Sequence, residues 1–161
     1  VGMWDGRHAN IPWLQEAPDQ ITKVVWGSWA ELHPSTAEKI GVKTGDVIRV
    51  ESQFGVVETP VYVYKGMHPE AVGLPLGQGH TEYGRYAKGR GINPMDILGP
   101  DTDAKTGELA LFGARVKISR SSAPLHMVKF KGSETQMGRR MVQTVTAAQY
   151  KETEGGETNV S

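Results

Sequence analysis

The chain has 161 residues, room for one domain with a real core and too few for two full ones. Eighteen Lys and Arg balance eighteen Asp and Glu, which argues against gripping nucleic acid by bulk charge. The absence of Cys excludes a disulfide framework, a thiolate zinc site, an iron–sulfur cluster held within this chain and a cysteine nucleophile.

Val outnumbers Leu by 16 to 8, beside 20 Gly and 9 Pro, a balance that predicts many short strands joined by turns. No apolar run reaches the length needed to cross a bilayer. The opening Val1-Gly2-Met3-Trp4-Asp5-Gly6 carries neither an initiator Met nor a charged-then-apolar leader, and reads as a piece of something longer. The segment to about Ala30 holds all four Trp, and Gly6, Pro12 and Pro18 break it into an irregular lead-in rather than a helix. Val24-Val25-Trp26 reads as a short buried strand. From His33 to Gly41, Pro34 suits a first helical turn and Gly41 the residue past its end, predicting a helix of about two turns.

Val42 to Tyr64 is the clearest strand region. Lys43-Thr44-Gly45-Asp46 and Gln53-Phe54-Gly55 are its turns, and Pro60 marks an edge position or a bulge. The apolar stretch Ala71 to Leu76 follows, then a glycine-dense loop from Gly77 to Gly91, then Asn93 to Leu98. A polar turn (Asp101 to Gly107) leads to Leu109-Ala110-Leu111-Phe112. Ala114 to Ser119 alternates strictly, with one wet and one buried face. Met141 to Tyr150 reads as a marginal helix, and Lys151 to Ser161 as too polar to pack.

In the loop, Gly77, Gly79, Gly84, Gly89 and Gly91 allow positive backbone torsions and close approach of amides to a ligand. Arg85, Lys88 and Arg90 suit a diphosphate, and Tyr83 and Tyr86 offer flat faces. Gln78, His80 and Asn93 both donate and accept, as the edge of a heterocycle requires. A solvent-exposed loop with merely solvated cations is the alternative. His33, His68 and His126 are scattered and do not read as a metal set. Asp101 and Asp103 read as solvated, and Trp13, Trp26 and Trp29 as core or interface packing rather than ring platforms.

The run His33-Pro34-x-x-Ala37-x-x-Ile40-Gly41-Val42-Lys43-x-Gly45-Asp46-x-Ile48-x-Val50, with Gly55 and Pro69-x-Ala71-Val72, resembles the double-psi β-barrel module. Asp5-Gly6-Arg7-His8-Ala9-Asn10-Ile11-Pro12-Trp13-Leu14-Gln15-Glu16 and Gly77-Gln78-Gly79-His80-Thr81-x-Tyr83-Gly84-Arg85-Tyr86-Ala87-x-Gly89-Arg90-Gly91-x-Asn93-Pro94 narrow this. They resemble the C-terminal, molybdopterin dinucleotide-binding domain of the dimethyl sulfoxide reductase family, in the branch of quinone-linked respiratory complex subunits.

The resemblance implies a mainly β fold, a six- or seven-stranded double-psi β-barrel of the aspartate decarboxylase-like kind with one or two short helices. It spans residues 1–120, with 121–161 a partly disordered extension. The implied role is to hold molybdopterin guanine dinucleotide, through Gly6, Arg7, Asn10, Gln78, His80, Tyr83, Arg85 and Asn93, with no catalytic residue and no metal ligand in the domain itself. The remaining domains of the same large subunit and an iron–sulfur electron-transfer subunit are the implied partners, with no nucleic acid and no membrane insertion by this chain. The periplasmic face of a membrane complex is the implied place. Some members of that branch keep the fold without molybdenum, so a metal-free structural domain, with the cofactor absent from this fragment, is the alternative. Double-psi barrels also occur as self-processing decarboxylases and adaptor domains. Gly27-Ser28 and Gly132-Ser133 offer the Gly-Ser bond a decarboxylase needs, without its surrounding pattern.

Overall fold

The computed structural model describes residues 2–131 together with 146, 147 and 150. The chain divides into two compact units, Val1–Phe130 and Lys131–Ser161. The marginal helix expected from Met141 to Tyr150 falls mostly outside the described residues, and the tail from Lys151 and the Gly132-Ser133 pair fall there entirely.

In the first unit the chain forms α1 (Pro12–Glu16), β1 (Ala30–Leu32), α2 (Pro34–Ile40), β2 (Val47–Glu51), β3 (Val56–Val63), β4 (Val72–Gly73), a 3₁₀ turn (Pro94–Ile97) and β5 (Lys117–Ser121). The strands make one mixed sheet in the order β4-β1-β3-β2-β5. Only β1 and β3 run parallel, with Ala30 opposite Val61 and Leu32 opposite Val63. The mainly β class and the short helices are as expected, but the ladders hold five strands among the described residues rather than six or seven.

Local chemistry explains where the elements fall. His33 caps α2, its Nδ1 accepting from Ser35 N at 3.2 Å, Pro34 occupies the first turn, and Gly41 ends the helix in the left-handed region at φ 68°. In β2 and β3 the apolar residues alternate well enough to fix the register, Val50 opposite Val57 and Val47 opposite Pro60. Pro60 sits where β3 stops pairing with β2 and starts pairing with β1 at Val61, so its missing donor costs no ladder bond on the β1 side.

Several expectations need correction. Pro12 begins a helix rather than breaking one, because the first helical position needs no donor. Val24 to Trp26 makes only a single bridge, Val24 to Lys129, because Lys23 (φ 61°) and Trp26 (φ 56°) leave the extended region. Leu109 likewise makes one bridge, to Thr102, and the alternating stretch pairs from Lys117 onwards.

The core gathers Ala30, Leu32, Ala37, Val42, Ile48, Val50, Val57, Val61 and Ile97, with Leu32, Ile48, Val50 and Val61 fully buried. Each such Leu or Ile side chain contributes about 1.5–3 kcal/mol relative to exposure. The sheet also places the loop beyond it. Gly55, at the tip of the β2–β3 hairpin, lies against the Asp96 carbonyl so closely that a Cβ would collide with it. The hairpin thereby sets the position of the 3₁₀ turn.

Candidate functional site

The lead-in and the glycine-dense loop, about seventy residues apart in sequence, meet in space. A small second core joins them: Met3 and Ala9 from the first pack with Ala87 from the second, and Leu14 of α1 leans on the group. Polar links complete the join. Gln15, 1 % exposed, donates through Nε2 to Ala9 O at 2.7 Å and to Gln78 Oε1 at 3.1 Å. Gln78 Nε2 donates back to Gln15 Oε1 at 2.8 Å. The Tyr83 hydroxyl donates to Arg7 O at 3.0 Å, and Tyr86 N donates to Asn10 Oδ1 at 3.0 Å. Ser28 Oγ accepts from Ile92 N at 3.0 Å.

Glycine is required where backbones touch. A Cβ on Gly79 (φ 87°) would strike the backbone of Ile92 and Asn93, and one on Gly84 (φ 95°) would strike the Asn10 amide. Gly6 (φ 104°) lies against the His80 ring, 2.8 Å from Nε2 to where its Cβ would stand. These are sequence-distant contacts that any larger residue would push apart.

Of the eight expected site residues, Gln78, His80, Tyr83 and Asn93 border two adjoining clefts. One, of about 500 Å³, is lined by Gly79 to Tyr83 with Asn93 and Asp96. The other, of about 360 Å³, shares Gly79, His80 and Asn93 and adds Asp5, Gln78 and Leu111 among others. His80 stacks on Tyr83 with ring centroids 5.2 Å apart, and its Nε2 is buried with no hydrogen-bond partner among the described residues. Asn93 Oδ1 accepts from Met95 N at 3.2 Å and its Nδ2 donates to Asp96 Oδ1 at 3.0 Å, so it also caps the 3₁₀ turn. Gly6 touches His80 at Nε2 and Cε1. Arg7, Asn10 and Arg85 line neither cleft. The Asn10 carbonyl holds the loop backbone at Tyr86.

The charges are unevenly spread. Arg7 is exposed and forks onto Asp5, Nε to Oδ1 at 2.9 Å and Nη2 to Oδ2 at 2.7 Å. That guanidinium pulls the Asp5 carboxyl down to about 2. Lys88 pairs with Glu82 at 2.8 Å. Among the described residues, the charged side chains on the clefts themselves are carboxylates, Asp5, Glu82 and Asp96. Carboxylates and amides suit the amino and N–H edges of a heterocycle, not a phosphate.

Sequence reasoning missed Gln15 and Ser28, which have no periodic or charge signal to mark them as buried connectors. Of Trp13, Trp26 and Trp29, expected in core or interface packing, Trp29 is the one in the core among the described residues. Trp29 is buried, with Nε1 donating to Glu31 at 3.0 Å, whereas Trp4 and Trp13 are both 71 % exposed. Trp26 lies under the Arg90 guanidinium, 4.4 Å from its centroid. His33 and His68 each use Nδ1 to accept a backbone N–H two residues on, a capping role. Asp103 closes its exposed turn by accepting from Lys105 N and Thr106 N, and those bonds lower its pKa.

Residues 4–110 match the family model described as Molydopterin dinucleotide binding domain. The chain is 33 % identical over 124 residues to the molybdopterin-containing subunit of the arsenate respiratory reductase of Shewanella sp. (strain ANA-3), covering 72 % of this chain and 14 % of that protein. It is 34 % identical over 90 residues to the molybdopterin-binding-like subunit of the menaquinone reductase of Nitratidesulfovibrio vulgaris, covering 56 % of this chain and 13 % of that one. Among solved structures, acetylene hydratase from Pelobacter acetylenicus aligns with a TM-score of 0.49 and 23 % identity over 58 % of this chain and 14 % of that chain. The chain thus spans about one-seventh of the length of these curated relatives. With well over half of its residues inside the family model, the chain belongs to the molybdopterin dinucleotide binding domain family, whose cofactor is molybdopterin guanine dinucleotide.

Proposed function

We propose that this chain is the cofactor-binding domain of a molybdopterin oxidoreductase large subunit and holds the pterin guanine dinucleotide for electron-transfer redox chemistry. The observation that carries the reading is the His80 ring, stacked on Tyr83, at two clefts built jointly by the lead-in and the glycine-dense loop. Its Nε2 lies against Gly6 without a hydrogen-bond partner among the described residues, at a cost of about 1–3 kcal/mol that is borne to place the ring there. The residues fit the group: an imidazole, two amides and carboxylates face the clefts, and Gly79 brings backbone to their surface.

When bound, the group supplies the redox chemistry. This chain's residues bind and orient it. Gln78, His80 and Asn93 exchange hydrogen bonds with a ring edge, and Tyr83 backs the His80 ring and holds it flat. Gly6 leaves room for that ring. Arg7 and Asn10 act from the lead-in, keeping the loop in place through Arg7 O and Asn10 Oδ1. Arg85 supplies positive charge for the diphosphate. The binding unit covers 1–120, the strands complete a double-psi barrel, and 121–161 is an extension. The remaining domains of the large subunit and an iron–sulfur subunit are the proposed partners.

One observation favours a second reading, a metal-free structural domain in a quinone-linked complex. The Nitratidesulfovibrio relative carries the description "molybdopterin-binding-like". Pterin and metal contents of the purified intact subunit separate the two. Pterin with molybdenum supports the first reading, and neither supports the second. In the first case a His80→Ala, Arg85→Ala double variant loses most of its pterin while staying folded, and full retention removes these residues from the site.

A further inference from the structure

The clefts carry no cation of their own, yet the dinucleotide's diphosphate must be neutralised somewhere. Of the four candidate cations, Arg7 is taken by Asp5 and Lys88 by Glu82. Among the described residues, neither Arg85 nor Arg90 forms an ion pair. Both instead lie on aromatic rings in one row: Arg85 over Tyr86 at 5.4 Å, Tyr86 beside Trp26 at 6.4 Å, and Arg90 over Trp26 at 4.4 Å.

Arg90 is the more committed of the two. Its side chain is partly buried and its Nε is buried with no acceptor among the described residues, although a guanidinium carries five donors. Its own backbone carbonyl accepts from Gly79 N at 2.7 Å, and Gly79 lines both clefts. Trp26, a bulky residue, is held at φ 56° beneath it, a conformation worth roughly 1–2 kcal/mol of strain. A partly buried guanidinium whose Nε has no acceptor among the described residues, laid on a strained aromatic platform, suits an oxyanion.

We infer that Arg90, held on the Trp26 ring, forms an oxyanion subsite that takes the diphosphate of the dinucleotide, adjoining the clefts that take its ring. This deepens the proposed function and rests on it. The ring fixes the guanidinium plane from below, so its edge presents a fork to two phosphate oxygens, and Arg85 adds charge from the same row. A Lys would keep the charge but lose both fork and stacking.

The test uses the intact large subunit, measuring guanine nucleotide and pterin retained after dialysis at rising salt. In Arg90→Met, which keeps the apolar contact with Trp26 but no charge, dinucleotide is lost roughly tenfold faster, as expected for one charge-assisted contact. Arg90→Lys falls between wild type and Arg90→Met with a steeper salt dependence, and gives the answer if Arg90→Met does not fold. Trp26→Leu behaves like Arg90→Lys, and inorganic pyrophosphate slows reloading of the wild type but not of Arg90→Met. Unchanged retention in Arg90→Met and Arg90→Lys overturns the inference alone. Unchanged retention with looser association of neighbouring domains assigns Arg90 to a protein carboxylate and also overturns it. A wild-type subunit without dinucleotide overturns the proposed function and the inference together.

Discussion

The sheet and the half built from the lead-in and the glycine-dense loop are held by different physics. The sheet rests on a contiguous group of apolar side chains, four of them large and fully buried, behind ladders whose register the alternation sets. The lead-in and the glycine-dense loop share only Met3, Ala9 and Ala87 as a core and are fastened by a few hydrogen bonds and glycine contacts. Apolar burial adds up over many atoms and tolerates local change, whereas a join made of single bonds depends on each. Surface devoted to a ligand cannot also be buried, so under the proposed function this half gives up the first kind of stability for the second.

The largest expected effect falls on the sheet. Ile48→Ala should cost about 2–5 kcal/mol, read as a lower urea midpoint for the whole chain. A cost under ~1 kcal/mol would mean that the sheet does not dominate stability. Gln15→Leu comes next, at about 1–3 kcal/mol, because Gln78 and Ala9 O lose a buried partner together. Hydrogen exchange should show where the loss lands: faster exchange over residues 3–16 and 77–91, with 47–64 unchanged. Even before mutation, the residues up to about Trp29 should exchange faster than 47–64, and equal protection would erase the distinction between the halves.

The smallest effect is at Asp5. Its carboxyl, drawn down to about 2 from 3.8 by Arg7, should titrate there by NMR and return to the ordinary range in Arg7→Ala. A carboxylate lowered in this way helps the folded state above its ordinary value, and that help fades as pH falls through about 2. The pair is exposed, so the change in global stability should be slight. A marked acid sensitivity removed by Arg7→Ala would show that charge matters more to this half than geometry suggests.

The sheet was readable in sequence because its signals are local. Pro34 and Gly41 bracket α2, and Val47 to Glu51 shows its period within five residues. The meeting of lead-in and loop was legible only through the family resemblance, since nothing in Gly84 announces that it will lie against Asn10. Gln15 reads like any exposed glutamine until its partners arrive from 6 and 63 residues away. α1 was hidden because five residues are too few for a helical period, and prolines on either side read as breakers. Trp26 gave no sign of its partner: that a guanidinium lies on its ring follows from the position of Arg90, far along the chain.

The Gln15–Gln78 clasp has one more consequence. Two neutral amides, each giving and receiving a hydrogen bond, possess no acid–base state in the range where proteins survive, and there is no charge for salt to screen. Under the proposed function the bound group would trade electrons and protons, and the charge around it would change. A fastening built from carboxylates or imidazoles would loosen and tighten in step with that traffic. This one is deaf to it, so the distance between α1 and the loop stays a fixed dimension of the site whatever the charge beside it.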